Sequence, residues 1–399
     1  MIAAAGAGVR LRVASRTSSF RQKAGVFDSR EIGHRLRVST FLEGSVRKSG
    51  SRLRITAQLI DAESGYHLWS DRFDREMSDV FAIQDQIAHN IVEALQVTLS
   101  PREREALQKT HTQDVQAYDY YLRGRKFFYQ YGPRDMEFAR QLFGRAIELD
   151  PGYAQAYAGT ADCWSYLHLY VDRGSHSRSQ AEAASLRAVE LNPDSAQAQA
   201  SRAVALSLAE RDEEAKAAFE RAIELDPNLF EAHYFYARHC FVHGQLDKAL
   251  NLYQEASRVR PEDYQAPLLM AQIYDDLGRA EEGEAARRRG IQAAEEHLKL
   301  NPDDARAVYM TANGLAALGE RERAREWADR AVAMRTEDPM LLYNAGCIYS
   351  LIGLEQKAIE SLERAAKRGV LQKGWIEHDS NLDPLRTHPR FQALMERLG

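Results

Sequence analysis

The sequence predicts a mainly α protein: a right-handed solenoid of stacked antiparallel helix pairs, preceded by a small mixed α/β domain. Between residues 150 and 340 a helix-like run meets a proline six times, and two successive spacings, Pro193 to Pro227 and Pro227 to Pro261, are both 34 residues. The runs also read alike: A-I-E-L-D-P ends at Pro151 and again at Pro227, A-V-E-L-N-P at Pro193 and H-L-K-L-N-P at Pro302. A fixed period of this size marks a stack of similar units, each too small to bury its own apolar face. A third observation separates the front of the chain, where residues 40–47, 52–61 and 66–74 alternate in polarity with the period of a strand.

Taken in order, the front domain (residues 1–99) begins with V-R-L-R-V at residues 9–13, which alternates like a strand. The surrounding Arg/Ser-rich, acid-poor stretch also has the look of a transit peptide, but its apolar residues precede its basic ones, the reverse of a secretory signal. A short helix is expected at residues 29–37. The K-S-G-S and A-E-S-G turns then join the three strands into two hairpins. In the middle strand Leu53, Ile55, Ala57 and Leu59 share one face, opposite Arg52, Arg54, Thr56 and Gln58. A helix over residues 79–99 carries Ile83, Ile87, Ile91 and Leu95 as a stripe to lay on the sheet.

Composition is that of an ordinary globular chain, 44% apolar and 28% charged, and no apolar run approaches the roughly 18 residues of a membrane span. The net charge of −5 conceals an asymmetry: the first 54 residues hold twelve Lys or Arg against three acids, so they carry +9 and the rest −14. Arg10, Arg12, Arg47, Lys48, Arg52 and Arg54 make the front basic, but no aromatic residues interleave with them. A solvated sheet face is therefore expected rather than a nucleic-acid surface. Cys163, Cys240 and Cys347 are few, odd in number and far apart, which argues for buried free thiols, a reducing compartment and a cytoplasmic location. A periplasmic location would follow if a membrane anchor lay upstream.

The segment from R-E-I-G-H-R-L-R-V through L-W-S-D-R-F-D-R-E, followed by D-V-F-A-I-Q-D-Q-I-A, resembles the TolB-amino-terminal-like domain that precedes tetratricopeptide repeats in many bacterial proteins. The resemblance spans about residues 9–98 and implies a mixed α/β domain without catalysis of its own. Larger members of that family carry an upstream output unit: an adenylate or guanylate cyclase, a winged-helix DNA-binding domain or a protein kinase. Members also have a further strand and most of a helix where only M-I-A-A-A-G-A-G stands here. That departure leads us to expect a start codon called too late or a fragment of a longer gene.

The remainder resembles the tetratricopeptide repeat, whose pattern sets small residues where two helices cross closely and large ones beside them. Repeat three supplies Ala203, Ala215, Phe219 and Ala222; repeat four supplies Ala237, Gly244, Ala249, Tyr253 and Ala256. The last supplies Gly346, Tyr349, Gly353, Ala358, Leu362 and Ala365. Seven repeats over residues 115–369 follow. Two are irregular: Pro151 to Pro193 is 42 residues, with the excess expected as a polar loop at residues 171–179. Pro261 to Pro302 is 41, with Gly283, Arg287 and Gly290 where small, aromatic and small residues belong. A C-terminal helical cap (residues 370–399) is expected to cover the end of the stack with Trp375, Leu382, Leu385, Phe391, Leu394 and Leu398.

No catalytic constellation assembles in this reading, and no enzyme activity, cofactor or metal is expected. The N-terminal G-A-G precedes a strand, lacks a third glycine and has no phosphate-loop lysine. His239 and His243, four apart beside Cys240, have a spacing that can share a metal, but no acid or cysteine partner lies nearby in sequence, so packed helix residues are expected. His378 with Asp379 and Asp383 reads as a polar turn. In tetratricopeptide proteins the concave wall is built from first-helix residues facing away from the partner helix. By that resemblance the wall here comprises Tyr121, Arg125 and Tyr129 in repeat one, Asp162 and Tyr166 in repeat two, and Tyr234, Arg238 and Phe241 in repeat four. Repeat six adds Arg306, Tyr309 and Asn313, and repeat seven Tyr343. Tyrosine and arginine dominate interface energetics, although the same residues can simply line a superhelix. The Lys/Asn clamp of chaperone-binding repeats is not evident. The expected function is a scaffold in bacterial signalling that binds a protein or peptide segment, with no nucleic-acid partner and no membrane span. The alternative is the regulatory C-terminal portion of a class III adenylate or guanylate cyclase, or of a winged-helix transcription regulator.

Overall fold

The computed structural model describes residues 30–31, 33, 38–76, 80–95, 112–129, 132–171, 174–334, 338–367, 376–377 and 379–398. The strand expected at residues 9–13, Arg10, Arg12, most of the helix expected at 29–37, the end of the helix expected at 79–99, Trp375 and His378 lie outside them. The chain forms two compact units, Met1–Tyr120 with Glu148–Gly152, and Tyr121–Ile147 with Tyr153–Gly399.

In the first unit β1 (Thr40–Ser49), β2 (Arg52–Asp61) and β3 (His67–Glu76) pair antiparallel in the order β1-β2-β3. Ser49 lies opposite Arg52, which leaves a two-residue loop, and Gly50 takes φ of 61°, a backbone that glycine reaches without steric cost. At the second hairpin the Asp61 carboxylate accepts from the Ser64 N–H at 2.8 Å and its hydroxyl at 2.6 Å, an Asx turn. Alternation along β2 buries Leu53, Ala57 and Leu59 and exposes Arg52 and Arg54. Helix α1 (Val80–Ala94) lays Ile83 and Ile87 on that face with Ala57, Phe73, Leu42, Ile55 and Trp69. On the other face the register brings Arg54 to Asp74 at 2.7 Å and Arg52 to Glu76 at 3.3 Å. Two of the basic residues marked in the sequence are thus paired with acids of the next strand.

From Val115 onward the chain is built from helix pairs: α2 (Val115–Phe128) with α3 (Pro133–Leu149), α4 (Ala154–Tyr170) with α5 (Ser175–Leu191), and α6 (Ala196–Leu208) with α7 (Asp212–Leu225). Then come α8 (Phe230–Val242) with α9 (Leu246–Val259), α10 (Gln265–Asp276) with α11 (Ala280–Leu300), α12 (Ala305–Ala317) with α13 (Arg321–Met334), and α14 (Pro339–Leu351) with α15 (Glu355–Ala366). Alanine marks the close crossings: Ala203, Ala215, Ala222, Ala237, Ala249 and Ala256 are wholly buried, with Phe219 and Tyr253 filling the space beside them. In the first two pairs Phe143 lies between Gly124 and Gly159, and a Cβ on either would stand 2.7 Å from its ring. Four first helices end on a glycine of positive φ, namely Gly244, Gly278, Gly319 and Gly353. One hydrogen bond recurs after them, from Gln245 to Cys240, Arg279 to Tyr274, Glu320 to Leu315 and Leu354 to Tyr349. It satisfies carbonyls left open at a helix C-terminus.

The irregular repeats depart from expectation in an instructive way. Of the polar loop expected at residues 171–179, residues 175–179 are helical instead: α5 begins at Ser175, and α4 and α5 each reach 17 residues. The A-E-A-A run favours helix, and serines suit its first turn. In repeat five the surplus lengthens α11 to 21 residues. There Arg287, in the place of the aromatic, is buried and pairs with Asp275, while Gly290 is pressed against Leu268. Beyond α15 a 3-10 helix (Ser380–Leu385) and α16 (Pro389–Arg397) pack Leu382, Leu385, Phe391 and Leu394 onto Ile348, Ile359 and Leu362. All three cysteines are free and buried. Among the described residues no helix is long and apolar enough to cross a membrane.

Candidate functional site: the inner wall of the solenoid

The first helices of alternate repeats meet through their side chains. Tyr170 at the end of α4 accepts a hydrogen bond from Arg238, in the middle of α8. The guanidinium carbons of Arg238 and of Arg306, from the start of α12, stand 5.4 and 4.9 Å from the Tyr170 ring centroid. Two cations thus flank one phenol. Burial alone would raise the Tyr170 pKa, but the attraction of Arg238 and Arg306 outweighs it and brings the hydroxyl below the ordinary phenol range. Arg125 has a similar surrounding: it donates to the hydroxyls of Tyr121, at 3.2 Å, and Tyr129, and lies 4.9 Å from the Tyr129 ring centroid. Among the described residues none of Arg125, Arg238 and Arg306 forms an ion pair, although Glu231 acts on Arg125 and Asp304 on Arg306 from farther off. The Nε atoms of Arg125 and Arg306 are buried without a hydrogen-bond partner.

Beside them a small cleft, open to solvent, is lined by Tyr166, Tyr170, Asp304, Arg306, Tyr309 and Asp338. The two acids in it are already engaged. Asp304 receives Tyr264 at 3.2 Å and His297 at 2.8 Å, and Asp338 caps α14 through the N–H groups of Met340 and Leu341. Asp162 is half-buried, and burial raises its pKa to about 7 against the opposing pull of a Ser201 hydrogen bond and of Arg125. Tyr166 and Tyr170 complete this wall with ring centroids 4.8 Å apart.

The wall residues marked in the sequence therefore divide. Arg125, Tyr129, Asp162, Tyr166, Arg238, Arg306 and Tyr309 are half-buried, and Asn313 is exposed on α12. Tyr121, Tyr234 and Tyr343, at 7%, 4% and 8% exposure, belong to the core. Tyr121 sits between the rings of Phe143 and Tyr153. Tyr234 stacks on Phe230 and donates to Gln265. Tyr343 donates to Asp379 at 2.5 Å, underneath the C-terminal helices. Phe241 packs on the edge of the core shared by repeats three to five. A tyrosine on the inward stripe can equally fill the space between neighbouring first helices, and only the packing decides. Tyr170 and Asp338 escaped sequence reading because one lies in the added turn of repeat two and the other reads as a helix cap.

A second polar cluster lies between repeats three and four. The acid missing from the sequence around His239 and His243 is supplied by Asp212 of α7, whose Oδ1 lies 3.1 Å from His243 Nε2.

A stack of helix pairs closed by alanine crossings, with an inner wall of tyrosine and arginine, defines a helical repeat scaffold. The chain is a tetratricopeptide-repeat protein: family models described as tetratricopeptide repeat match residues 168–230, 209–256, 237–294 and 286–339, and residues 341–368. It is 41% identical over 148 residues to a protein of Rhizobium meliloti (strain 1021) named as an adenylate cyclase, covering 37% of this chain and 25% of that protein. It is 22% identical over 306 residues to the transcriptional regulator HilA of Salmonella typhimurium, covering 75% of this chain and 53% of HilA. The chain thus spans about a quarter and about half of these two relatives. A solved structure, a thermophilic tetratricopeptide-repeat protein of Thermus thermophilus, matches 48% of this chain and 98% of its own at 18% identity with a TM-score of 0.40. Tetratricopeptide-repeat proteins are generally non-catalytic scaffolds that bind proteins or peptides.

Proposed function

We propose that this protein is a scaffold in bacterial signalling that holds an extended, acidic protein segment against its inner wall. The observation that carries this reading is the set of three hemmed-in guanidiniums, Arg125, Arg238 and Arg306, whose direct contacts are tyrosine hydroxyls and rings, while the acids that act on them, Glu231 and Asp162 on Arg125 and Asp304 on Arg306, do so from beyond ion-pair distance. A half-buried cation whose acids stand only at a distance is incompletely compensated. A carboxylate delivered by a partner gains charge-assisted hydrogen bonds in a geometry that arginine favours, while Tyr129, Tyr166 and Tyr309 offer apolar area with little rotamer entropy to lose. The test is a pull-down with the full chain and with Arg125→Ala combined with Arg238→Ala, helicity being followed by circular dichroism. The double variant is expected to lose partners that the parent retains. Equal capture, with capture lost instead on removing residues 1–98, would place the binding surface in the front domain.

A second reading is favoured by the likeness to the Rhizobium meliloti protein and to HilA: these residues serve as the regulatory part of a cyclase or a transcription regulator. Sequencing the in-frame DNA before Met1 tests it, since a cyclase or winged-helix coding segment there is what it requires.

A further inference from the structure

We propose that Asp212, His239 and His243 form a binding site for one divalent transition-metal ion of the zinc class, which clips repeat three to repeat four. His239 lies in the last turn of α8 and His243, four residues on, is its C-cap, and their ring centroids stand 4.3 Å apart, while Asp212 opens α7 of the preceding repeat. One ligand atom from each residue lies within 4.8 Å of the other two. A tetrahedral ion with bonds of about 2.0–2.1 Å needs ligand atoms about 3.3 Å apart. The widest pair therefore has to close by no more than about 1.5 Å, which rotation of the half-exposed Asp212 and His243 side chains can supply.

The surroundings prepare these groups as ligands. His243 Nδ1 is held by the His239 carbonyl at 2.8 Å and His239 Nδ1 by the Ser207 hydroxyl at 2.8 Å. Each Nε2 remains as the ring atom to bind a metal, and this outer ring of contacts is what fixes ligating imidazoles. Asp212 Oδ1 is buried and makes no well-directed hydrogen bond, although His243 Nε2 is beside it. A cation placed between them answers that deficit. Two imidazoles and one carboxylate suit zinc, cobalt or iron(II), not calcium or magnesium. The remaining coordination positions lie toward the exposed edges of Asp212 and His243, where water completes the shell. Because each repeat touches mainly its neighbours, a clip at this boundary stiffens the stack locally.

The experiment is calorimetric titration of the chelator-stripped full chain with ZnCl2, repeated with CoCl2 while visible d–d absorption is recorded. The expected result is saturation at one ion per chain and a thermal midpoint raised by ZnCl2 but not by MgCl2. Asp212→Asn and His243→Gln are each expected to weaken binding by about tenfold or more, and their combination to abolish it, with helicity unchanged. Failure of the full chain to saturate would overturn the proposal. So would retention of stoichiometric binding by the double variant, or, if that variant misfolds, unchanged affinity in the folded His243→Gln variant.

Discussion

Repeats three and four have first helices of 13 residues and second helices of 14, whereas repeat two has 17 and 17 and repeat five 12 and 21. The regular pair is held by alanine crossings and by buried rings, Phe219 in repeat three and Phe230, Tyr234, Tyr236 and Tyr253 in repeat four. The irregular pair places its surplus in additional helical turns, and those turns carry polar groups to the inner wall: Tyr170 ends α4, and His297, which reaches Asp304, lies near the end of α11. Regularity therefore serves stacking. The departures from the period add to the chemistry of the wall, to which the regular repeats also contribute through Arg238, because a residue in an added turn is free of the packing constraint that the repeat imposes on the others.

The sharpest way to break this comparison is at the matched ring position. Phe219 is fully buried in repeat three, and Phe219→Ala is expected to cost about 3–5 kcal/mol in urea denaturation. Arg287, at the same place in repeat five, is expected to cost about 1–2 kcal/mol on replacement by alanine. Asp275 is half-exposed and returns to water, so the loss is chiefly packing of the aliphatic stem. Equal costs would show that the irregular repeat is packed like the regular one.

The inner wall offers a pH-dependent test. Burial raises the Asp162 pKa from 3.8 to about 7, so between those values the folded state binds more protons than the unfolded one and stability falls as pH rises. The contribution is fully present below pH 3.8 and lost once the pH passes about 7. Asp162→Asn should therefore be the more stable protein relative to the parent at pH 8, by on the order of 2 kcal/mol, with the gap closing toward pH 4. A gap that does not change with pH would mean that Asp162 is ionised throughout.

The smallest effect concerns a turn. Repeat three ends its first helix on Glu210 at φ of 59°, where four other repeats use glycine, and still makes the recurring bond, from Arg211 to Leu206 at 3.0 Å. Glu210→Gly removes a left-handed strain of about 1 kcal/mol, partly offset by unfolded-chain entropy, and should raise the thermal midpoint slightly. A lowered midpoint would mean that the Glu210 side chain contributes more than its backbone costs.

The helix pairs were legible in the sequence because close crossings require Ala or Gly and leave a mark at a constant interval, as at Ala215, Ala237 and Ala249. Strand alternation around Ala57 was legible for the same reason: burial on one face imposes a period. The inner wall was legible only in part. Arg125, Arg238 and Arg306 could be placed on first helices, but not their meeting, since Tyr170, Arg238 and Arg306 come from the end, middle and start of their helices and converge only through the winding of the stack. Tyr121, Tyr234 and Tyr343 follow the inward stripe and are nevertheless core. The Asp212 carboxylate was hidden because it approaches the histidine pair from the preceding repeat.

The central claim, that the inner-wall guanidiniums await an acidic partner, is tested most directly by fluorescence anisotropy with a labelled peptide of alternating Glu and Gly, against a Lys and Gly control. The parent chain should bind the acidic peptide saturably and less tightly as salt increases. Arg238→Ala combined with Arg306→Ala should weaken it by about tenfold or more at unchanged helicity, while the control peptide binds neither protein. Equal binding of the acidic peptide by the parent and the double variant, or none by the parent, would contradict the account.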